Sequence, residues 1–167
     1  MNKFIVVATC ALGVLLAGCF GPEKKDGAST QRAEGLVIVN VLEPKYHEDC
    51  AIKGSINVPF DNLMEYAEKN WDKEKTHIVL YCGNYACTSS GAGARQLKDR
   101  GYKNVWAYEG GTAEWQHKGA PIVGKCESGF LKNFEVPEGY AERMAHDADI
   151  IISFDDLQKK IAESATK

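Results

Sequence analysis

Four short apolar runs, separated by segments with helical patterning, constrain the fold of this 167-residue chain more than any other feature. The runs are continuous or nearly so, which is typical of parallel strands buried on both faces. Helices are predicted over 61–69, with Asp61 as the N-cap, over 90–100, and around Trp115. The predicted strands cover residues 36–42, 56–59, 77–81 and 104–108. Because strands alternate with helices, the sequence predicts an α/β domain with a central, mainly parallel sheet and helices on both faces.

The third run leads directly into Cys82, and the ligands of parallel sheets bind at the carboxyl ends of strands. A second cysteine, Cys87, follows shortly before the predicted helix. A thiolate just before a helix is stabilised by the helix dipole and by backbone N–H groups. Small residues in the loop allow those N–H groups to converge on an anion. The alternative is an inert buried cysteine before an ordinary capped helix. Gly83 is expected to give the turn conformational freedom, and the hydroxyls of the loop are expected to donate hydrogen bonds and cap the helix. The other predicted substrate-binding residues of the loop are Gly83, Asn84, Tyr85, Ala86, Thr88, Ser89 and Ser90, of which the last three carry the hydroxyls.

Three segments of the chain carry a resemblance to a known family: IKGSINVPF at 52–60, IVLYC at 78–82 and LKDRGYKNVWAYEGGTAEWQHKGAPI at 97–122. Over residues 36–123 the chain resembles the rhodanese-like sulfurtransferase domain. In that family the cysteine that closes the strand takes sulfane sulfur from a donor, holds it as a persulfide and passes it to an acceptor. The resemblance implies that Cys82 is this nucleophile, that the partners are a small sulfur-donor anion and a thiol or protein acceptor, and that no cofactor is needed.

The loop departs from the family pattern in its charge. An arginine usually stands five residues after the cysteine, where this chain has Cys87, and the loop is about two residues longer than usual. No lysine or arginine lies between Cys82 and Arg95, so the clamp that the related phosphatases and arsenate reductases need is missing, and phosphoryl transfer is set aside. Asn40 lies in a strand where the family usually has an aspartate and an arginine, and Ala51 replaces the usual histidine. These departures put thiosulfate in doubt as the donor.

Cys87 has three interpretations. Its thiol is expected near that of Cys82, where it could resolve a persulfide or sulfenate by forming an intraloop disulfide, or accept the sulfur itself. It could equally be a small side chain that faces the core. A metal site is not predicted, because the motif has no second cysteine pair. The predicted function is sulfur transfer with a persulfide on Cys82; the alternative is a catalytically silent module that binds a partner or senses redox state through Cys82 and Cys87.

The N-terminus predicts a lipoprotein. Lys3 precedes an apolar stretch over 4–17, and the sequence Leu-Ala-Gly-Cys that ends at Cys19 resembles a bacterial lipobox. We therefore expect a signal peptide over 1–18, lipidation of Cys19, and a flexible polar tether over 19–34. The protein would then be anchored to the membrane on its extracytoplasmic, periplasmic face, in the outer membrane if the cell is Gram-negative, because Phe20 rather than an aspartate follows the cysteine. The alternative is an uncleaved helical anchor.

Net charge excludes one class of partner. The full chain carries −3, and removal of residues 1–18, which contain Lys3 and no acid, brings it to −4. A nucleic-acid-binding protein needs a basic footprint, so no nucleic-acid partner is expected. In an oxidising compartment the two cysteines that remain in the mature chain besides Cys19 and the loop pair, Cys50 and Cys126, predict a structural disulfide.

The C-terminal segment over 125–167 extends beyond the domain, which is predicted to cover 35–124. Rhodanese-like domains usually begin with a short strand and a helix that precede the first buried strand, and here the polar tether takes their place in the sequence. Residues 149–153 contain three isoleucines and predict a strand. Ser153 is the expected N-cap of a helix over about 154–164, in which Leu157 and Ile161 share one face. We therefore expect this segment to pack back on the domain and fill the vacant position.

Overall fold

The computed structural model describes residues 33–166. The predicted signal peptide, Cys19 and the tether up to residue 32 lie outside the described residues. Among those described, no helix is both long enough and apolar enough to cross a membrane. The elements are β1 (Ala33–Asn40), α1 (Pro44–Asp49), β2 (Cys50–Ile52), β3 (Ile56–Asn57), α2 (Leu63–Asn70), β4 (Trp71–Tyr81), α3 (Ser89–Asp99), β5 (Asn104–Tyr108), α4 (Gly111–His117), β6 (Ile122–Gly124), α5 (Tyr140–His146) and α6 (Phe154–Ser164), with short 3₁₀ turns at Phe60–Asn62 and Gly129–Lys132.

The central sheet contains four parallel strands in the order β3-β1-β4-β5. At its centre Val39 of β1 is opposite Leu80 of β4, and Leu80 is opposite Ala107 of β5. The apolar runs of the sequence form these strands, because a strand with neighbours on both sides and helices on both faces has no side that meets water. The predicted α/β fold with a central parallel sheet is confirmed.

Alternate residues of β4 enter two separate hydrophobic clusters, one on each face of the sheet. Leu80 packs with Leu63 of α2 and Leu97 of α3, whereas Tyr81 packs in the cluster that contains Trp115 of α4 and Leu157 of α6. Successive side chains of a strand point to opposite faces, so one continuous apolar run fills both clusters. The end of β4, where the candidate loop begins, is thereby held between two packed layers.

The C-terminal segment lies along the free edge of β5. Ile151 forms a parallel bridge with Ala107, whose N–H donates to the carbonyl oxygen of Ile150 at 2.7 Å and whose carbonyl accepts the N–H of Ile152 at 3.0 Å. Helix α6 follows at once, and Ser153 caps it by accepting the N–H of Asp156 at 3.1 Å. The segment therefore adds one short stretch of backbone pairing to the edge of the sheet, and α6 then covers the face on which Leu157 is buried.

A second, two-stranded antiparallel sheet joins β2 to β6, with Cys50 opposite Gly124. A disulfide links Cys50 to Cys126 next to this sheet. The carboxylate of Asp49 accepts the backbone N–H groups of Glu127 at 3.0 Å and Ser128 at 2.9 Å. The disulfide and the carboxylate together fix the start of the C-terminal extension against the domain.

Three local predictions differ from the structure. Asp61 does not cap α2: it lies in the 3₁₀ turn Phe60–Asn62, and the helix begins at Leu63 without a side-chain capping bond. Strand β1 begins at Ala33, so its first two residues lie inside the predicted tether. It starts there because β4 extends beyond its apolar run, and Ala33 pairs with Trp71, the first residue of β4. The strand predicted over 149–153 is reduced to a single bridge at Ile151. Helices α1 and α5 and strands β2 and β6 were not predicted.

Candidate active-site loop

The loop between β4 and α3 comprises residues 82–88 and lies at the carboxyl edge of the sheet. Its first two residues are fixed to α4: the carbonyl oxygens of Cys82 and Gly83 accept the N–H groups of Thr112 at 3.1 Å and Ala113 at 2.9 Å. Gly111 makes this approach possible, because it adopts a φ of +60° and a Cβ there would collide with the carbonyl oxygen of Cys82. Gly111, the first residue of α4, thus serves the loop directly.

The centre of the loop is a turn held by Asn84. The side-chain oxygen of Asn84 accepts the N–H of Ala86 at 3.0 Å, and its backbone oxygen accepts the N–H of Cys87 at 3.0 Å. Its side-chain nitrogen donates to the carbonyl oxygen of Phe130 at 3.0 Å. The Phe130 ring covers Gly83, where a Cβ would come within 3.0 Å of the ring. The loop is therefore tied to the C-terminal extension as well as to α4.

Cys82 is fully buried, with 0% of its surface exposed. Its Sγ lies 3.3 Å from the carbonyl oxygen of Cys87 and 3.5 Å from the hydroxyl of Ser90. The hydrogen bond to the Cys87 side chain raises the pKa of the Cys82 thiol, and so does burial, because a charge is poorly solvated there. Both effects favour the neutral thiol of Cys82.

Cys87 is only partly buried and carries the opposite shift. Hydrogen bonding with the Cys82 side chain, with the N–H groups of Ser89 and Gly83 and with the hydroxyl of Ser89 holds the pKa of the Cys87 thiol below the ordinary value, against the effect of burial. The N–H donors predicted for this loop are thus divided between the two sulfurs, those of Gly83 and Ser89 at Cys87 and that of Ser90 at Cys82. A cavity of about 250 Å³ opens beside it and is lined by Leu42, Tyr46, Gly83, Asn84, Cys87 and Phe130.

Of the remaining predicted loop residues, some contact the two thiols and others do not. The hydroxyl of Ser90 faces Cys82 and that of Ser89 faces Cys87. Thr88 is exposed and occupies the N-cap of α3 without a side-chain capping bond, so the predicted capping role is wrong for this residue. Ala86 is exposed, and Tyr85 points away from the cysteines and packs edge-to-face on Tyr140 of α5, at 4.8 Å between ring centres.

Two ion pairs behind the loop were not predicted. Arg95 of α3 pairs with Asp147 at 2.7 Å, and Arg143 of α5 pairs with the buried Glu109. Burial raises the pKa of Glu109, and the guanidinium of Arg143 opposes that effect. The arginines that approach the loop are thus both paired with carboxylates. Within residues 33–166, no three histidine, cysteine or acidic side chains are close enough together to hold a metal ion.

Three of the residues that line the cavity were also not predicted from the sequence. Leu42 follows β1, Tyr46 lies in α1 and Phe130 lies in the C-terminal extension, and they meet only because β1 and the loop share one edge of the sheet. Their ring contact, 5.8 Å between the centres of Tyr46 and Phe130, closes the cavity on one side. None of the three belongs to a motif, so no local signal in the sequence identifies them.

Comparison with known proteins identifies relatives of the chain. The rhodanese-like domain family matches residues 25–118. A thiosulfate sulfurtransferase GlpE from Coxiella burnetii is 33% identical over 81 residues, which are 48% of this chain and 72% of the relative. The GlpE of Pseudomonas entomophila is 28% identical over 98 residues, or 58% of this chain and 86% of the relative. A crystal structure of a Bacillus halodurans protein has a TM-score of 0.51 and 22% identity, covers 66% of this chain and 77% of its own, and shares the fold.

Proposed function

Because the chain belongs to the rhodanese-like domain family, we propose that it is a sulfurtransferase that carries sulfane sulfur as a cysteine persulfide in the loop that begins at Cys82. The relatives named thiosulfate sulfurtransferases support transfer of this kind. In the first half-reaction a loop thiolate attacks the outer sulfur of the donor, a sulfur–sulfur bond forms, and the donor's own sulfur–sulfur bond breaks. In the second, an acceptor thiolate removes the sulfur and restores the loop thiolate.

The observation that carries the proposal is the pair of neighbouring thiols at the carboxyl edge of the sheet. N–H and O–H donors approach both sulfurs, and a cavity opens beside Cys87. Because thiolate and persulfide both carry one negative charge, the same donors stabilise the loop in each state. An inert structural cysteine would need neither the donors nor the cavity.

The proposed site of action is the extracytoplasmic face of a membrane, to which lipidated Cys19 anchors the protein. The lipobox-like sequence before Cys19 supports this, and so does the Cys50–Cys126 disulfide, because such bonds persist in oxidising compartments. The loop would then act where low-molecular-weight sulfur compounds and exported proteins are its available partners.

Mass spectrometry of the full chain in detergent tests the proposal. After incubation with thiosulfate or with glutathione persulfide, we expect the protein to gain one sulfur atom, which an excess of thiol then removes. A matched sample alkylated with iodoacetamide beforehand should gain none. A folded protein that gains no sulfur from either donor would contradict sulfur transfer.

The absence of a loop cation favours a second candidate, thiol redox sensing. Two neighbouring thiols, one of them a favoured thiolate, can form a Cys82–Cys87 disulfide on oxidation. Treatment with hydrogen peroxide followed by non-reducing peptide mapping detects that bond. A protein that forms it reversibly and never gains sulfur is a sensor rather than a transferase.

A further inference from the structure

The two loop thiols differ in access to the cavity. Cys82 is fully buried and is not among the residues that line the cavity, whereas Cys87 is partly exposed and forms part of its wall. Cys82 also lies under the turn of the loop, because Thr112 of α4 binds its carbonyl oxygen and its Sγ faces the carbonyl oxygen of Cys87. A donor that enters this cavity meets the sulfur of Cys87 first.

Hydrogen-bond donors approach both sulfurs of the loop. The N–H groups of Gly83 and Ser89 contribute hydrogen bonds to Cys87, and the N–H and hydroxyl of Ser90 contribute hydrogen bonds to Cys82. The Sγ of Cys82 lies 3.3 Å from the carbonyl oxygen of Cys87, to which its S–H donates. The two thiols are therefore distinguished by their access to the cavity rather than by their hydrogen bonds.

The cavity carries little charge. Its walls are the aliphatic and aromatic side chains of Leu42, Tyr46 and Phe130, with the amide of Asn84, and none of its lining residues is a lysine or arginine. Lys45, next to Tyr46, is paired with Glu43 at 2.9 Å. A dianion such as thiosulfate would enter without a partner for its second charge, which is costly away from water, whereas an alkyl persulfide brings one charge at most and an apolar stem.

We infer that Cys87, rather than Cys82, takes sulfur from an organic persulfide donor that enters this cavity. This assignment rests on the proposed sulfur transfer. The Cys87 thiolate attacks the outer sulfur of R–S–SH, the donor bond breaks, and the alkyl thiolate leaves with the electron pair. The product, Cys87–S–SH, keeps the transferred sulfur and its proton, so no oxidant or reductant is needed.

Localisation of the added sulfur tests the order of the cysteines. The full chain in detergent is treated with 2-hydroxyethyl persulfide, and the modified peptide is identified by mass spectrometry in the wild type, Cys87→Ser and Cys82→Ser. We expect sulfur on Cys87 in the wild type, loading retained in Cys82→Ser and lost in Cys87→Ser. Sulfur found on Cys82 of the wild type overturns the inference and leaves the proposed function intact, whereas no sulfur on either cysteine contradicts the proposed function itself.

The donor class is tested at Leu42, which lines the cavity. The wild type should load from 2-hydroxyethyl persulfide, whose stem is uncharged, faster than from thiosulfate at equal concentration. Leu42→Arg adds the missing cation and should raise thiosulfate loading roughly tenfold, while Leu42→Gln, similar in length but uncharged, should not. Equal rates with the two donors in the wild type, or equal gains in both variants, would show that charge does not select the donor.

Discussion

The C-terminal segment offers the sharpest test of how the domain is assembled. Leu157 of α6 has 0% of its surface exposed, and its cluster includes Val79 of the central strand and Trp115 of α4. Replacement of a buried leucine by alanine removes its transfer free energy and leaves a cavity, and costs about 2–5 kcal/mol. Because Leu157 lies between the sheet and α4, the site has little freedom to collapse, and we expect Leu157→Ala to lower the free energy of unfolding by about 3 kcal/mol.

Denaturant unfolding followed by circular dichroism measures this effect on the full chain in a mild detergent. The expected loss corresponds to a fall in melting temperature of about 10 °C for a domain of this size. Gln158→Ala is the matched control, since Gln158 is the next residue of the same helix and is exposed, so its replacement should change stability by less than about 0.5 kcal/mol.

Truncation after Asp147 extends the same test. It removes α6 together with Ile151 and Ile152, both of which are buried at the edge of β5. Each fully buried apolar side chain contributes about 1.5–3 kcal/mol, so the loss approaches the whole stability of a typical domain, and we expect no cooperative unfolding transition. If Leu157→Ala and Gln158→Ala were equally stable, and the truncated chain melted like the wild type, the segment would be an independent tail and our reasoning would be refuted.

Three further predictions follow. Replacing Cys50 and Cys126 together by alanine should lower the free energy of unfolding by about 4.5 kcal/mol, because the bond closes a loop with a sequence separation of 76; equal denaturation midpoints for the variant and the oxidised wild type would contradict this. The hydrogen bonds from Ser128 and Glu127 lower the pKa of Asp49 below 3.8, so the stabilising effect of this carboxylate is present above pH 3.8 and is lost as the pH falls through the folded-state pKa. The melting temperatures of the wild type and Asp49→Asn should therefore differ at pH 7 and converge in strong acid. A difference that persists in strong acid would exclude the carboxylate as the cause. Cys19→Ser should abolish lipidation, and either release the protein from the membrane fraction or leave its signal peptide uncleaved; an unchanged N-terminal peptide mass and membrane extraction would refute the lipobox.

The elements that could be predicted from the sequence are those with a strong local pattern. Strand β5, Asn104–Tyr108, matches its apolar run residue for residue, and α3 differs from its predicted bounds by one residue at each end. Strands β2 and β6 have three residues each, which is too short for any periodicity, and α1 and α5 bury little apolar surface of their own. Their formation depends on tertiary contacts, among them the disulfide and the two N–H groups bound by Asp49.

The candidate site was predictable in position but not in its internal arrangement. The strand end, the small loop residues and the two cysteines are all visible in the sequence. Which sulfur faces solvent depends on the turn that Asn84 makes and on Phe130, which comes from a segment more than forty residues further along the chain and covers Gly83. Long-range packing of this kind leaves no periodic or motif signal, so the family resemblance pointed to Cys82 while the exposed thiol is Cys87.

The charges around the loop bear on how the proposed function could proceed without the usual arginine. Glu109 and Asp147 pair with the guanidinium groups of Arg143 and Arg95. The donors that approach the loop sulfurs are N–H and O–H groups, which suit a single negative charge on sulfur. We therefore expect the loop to stabilise a thiolate and its persulfide and to discriminate against donors that carry a second charge. Under the proposed function, the absence of an arginine from residues 83–94 changes which donors the loop selects and leaves the cysteine chemistry in place.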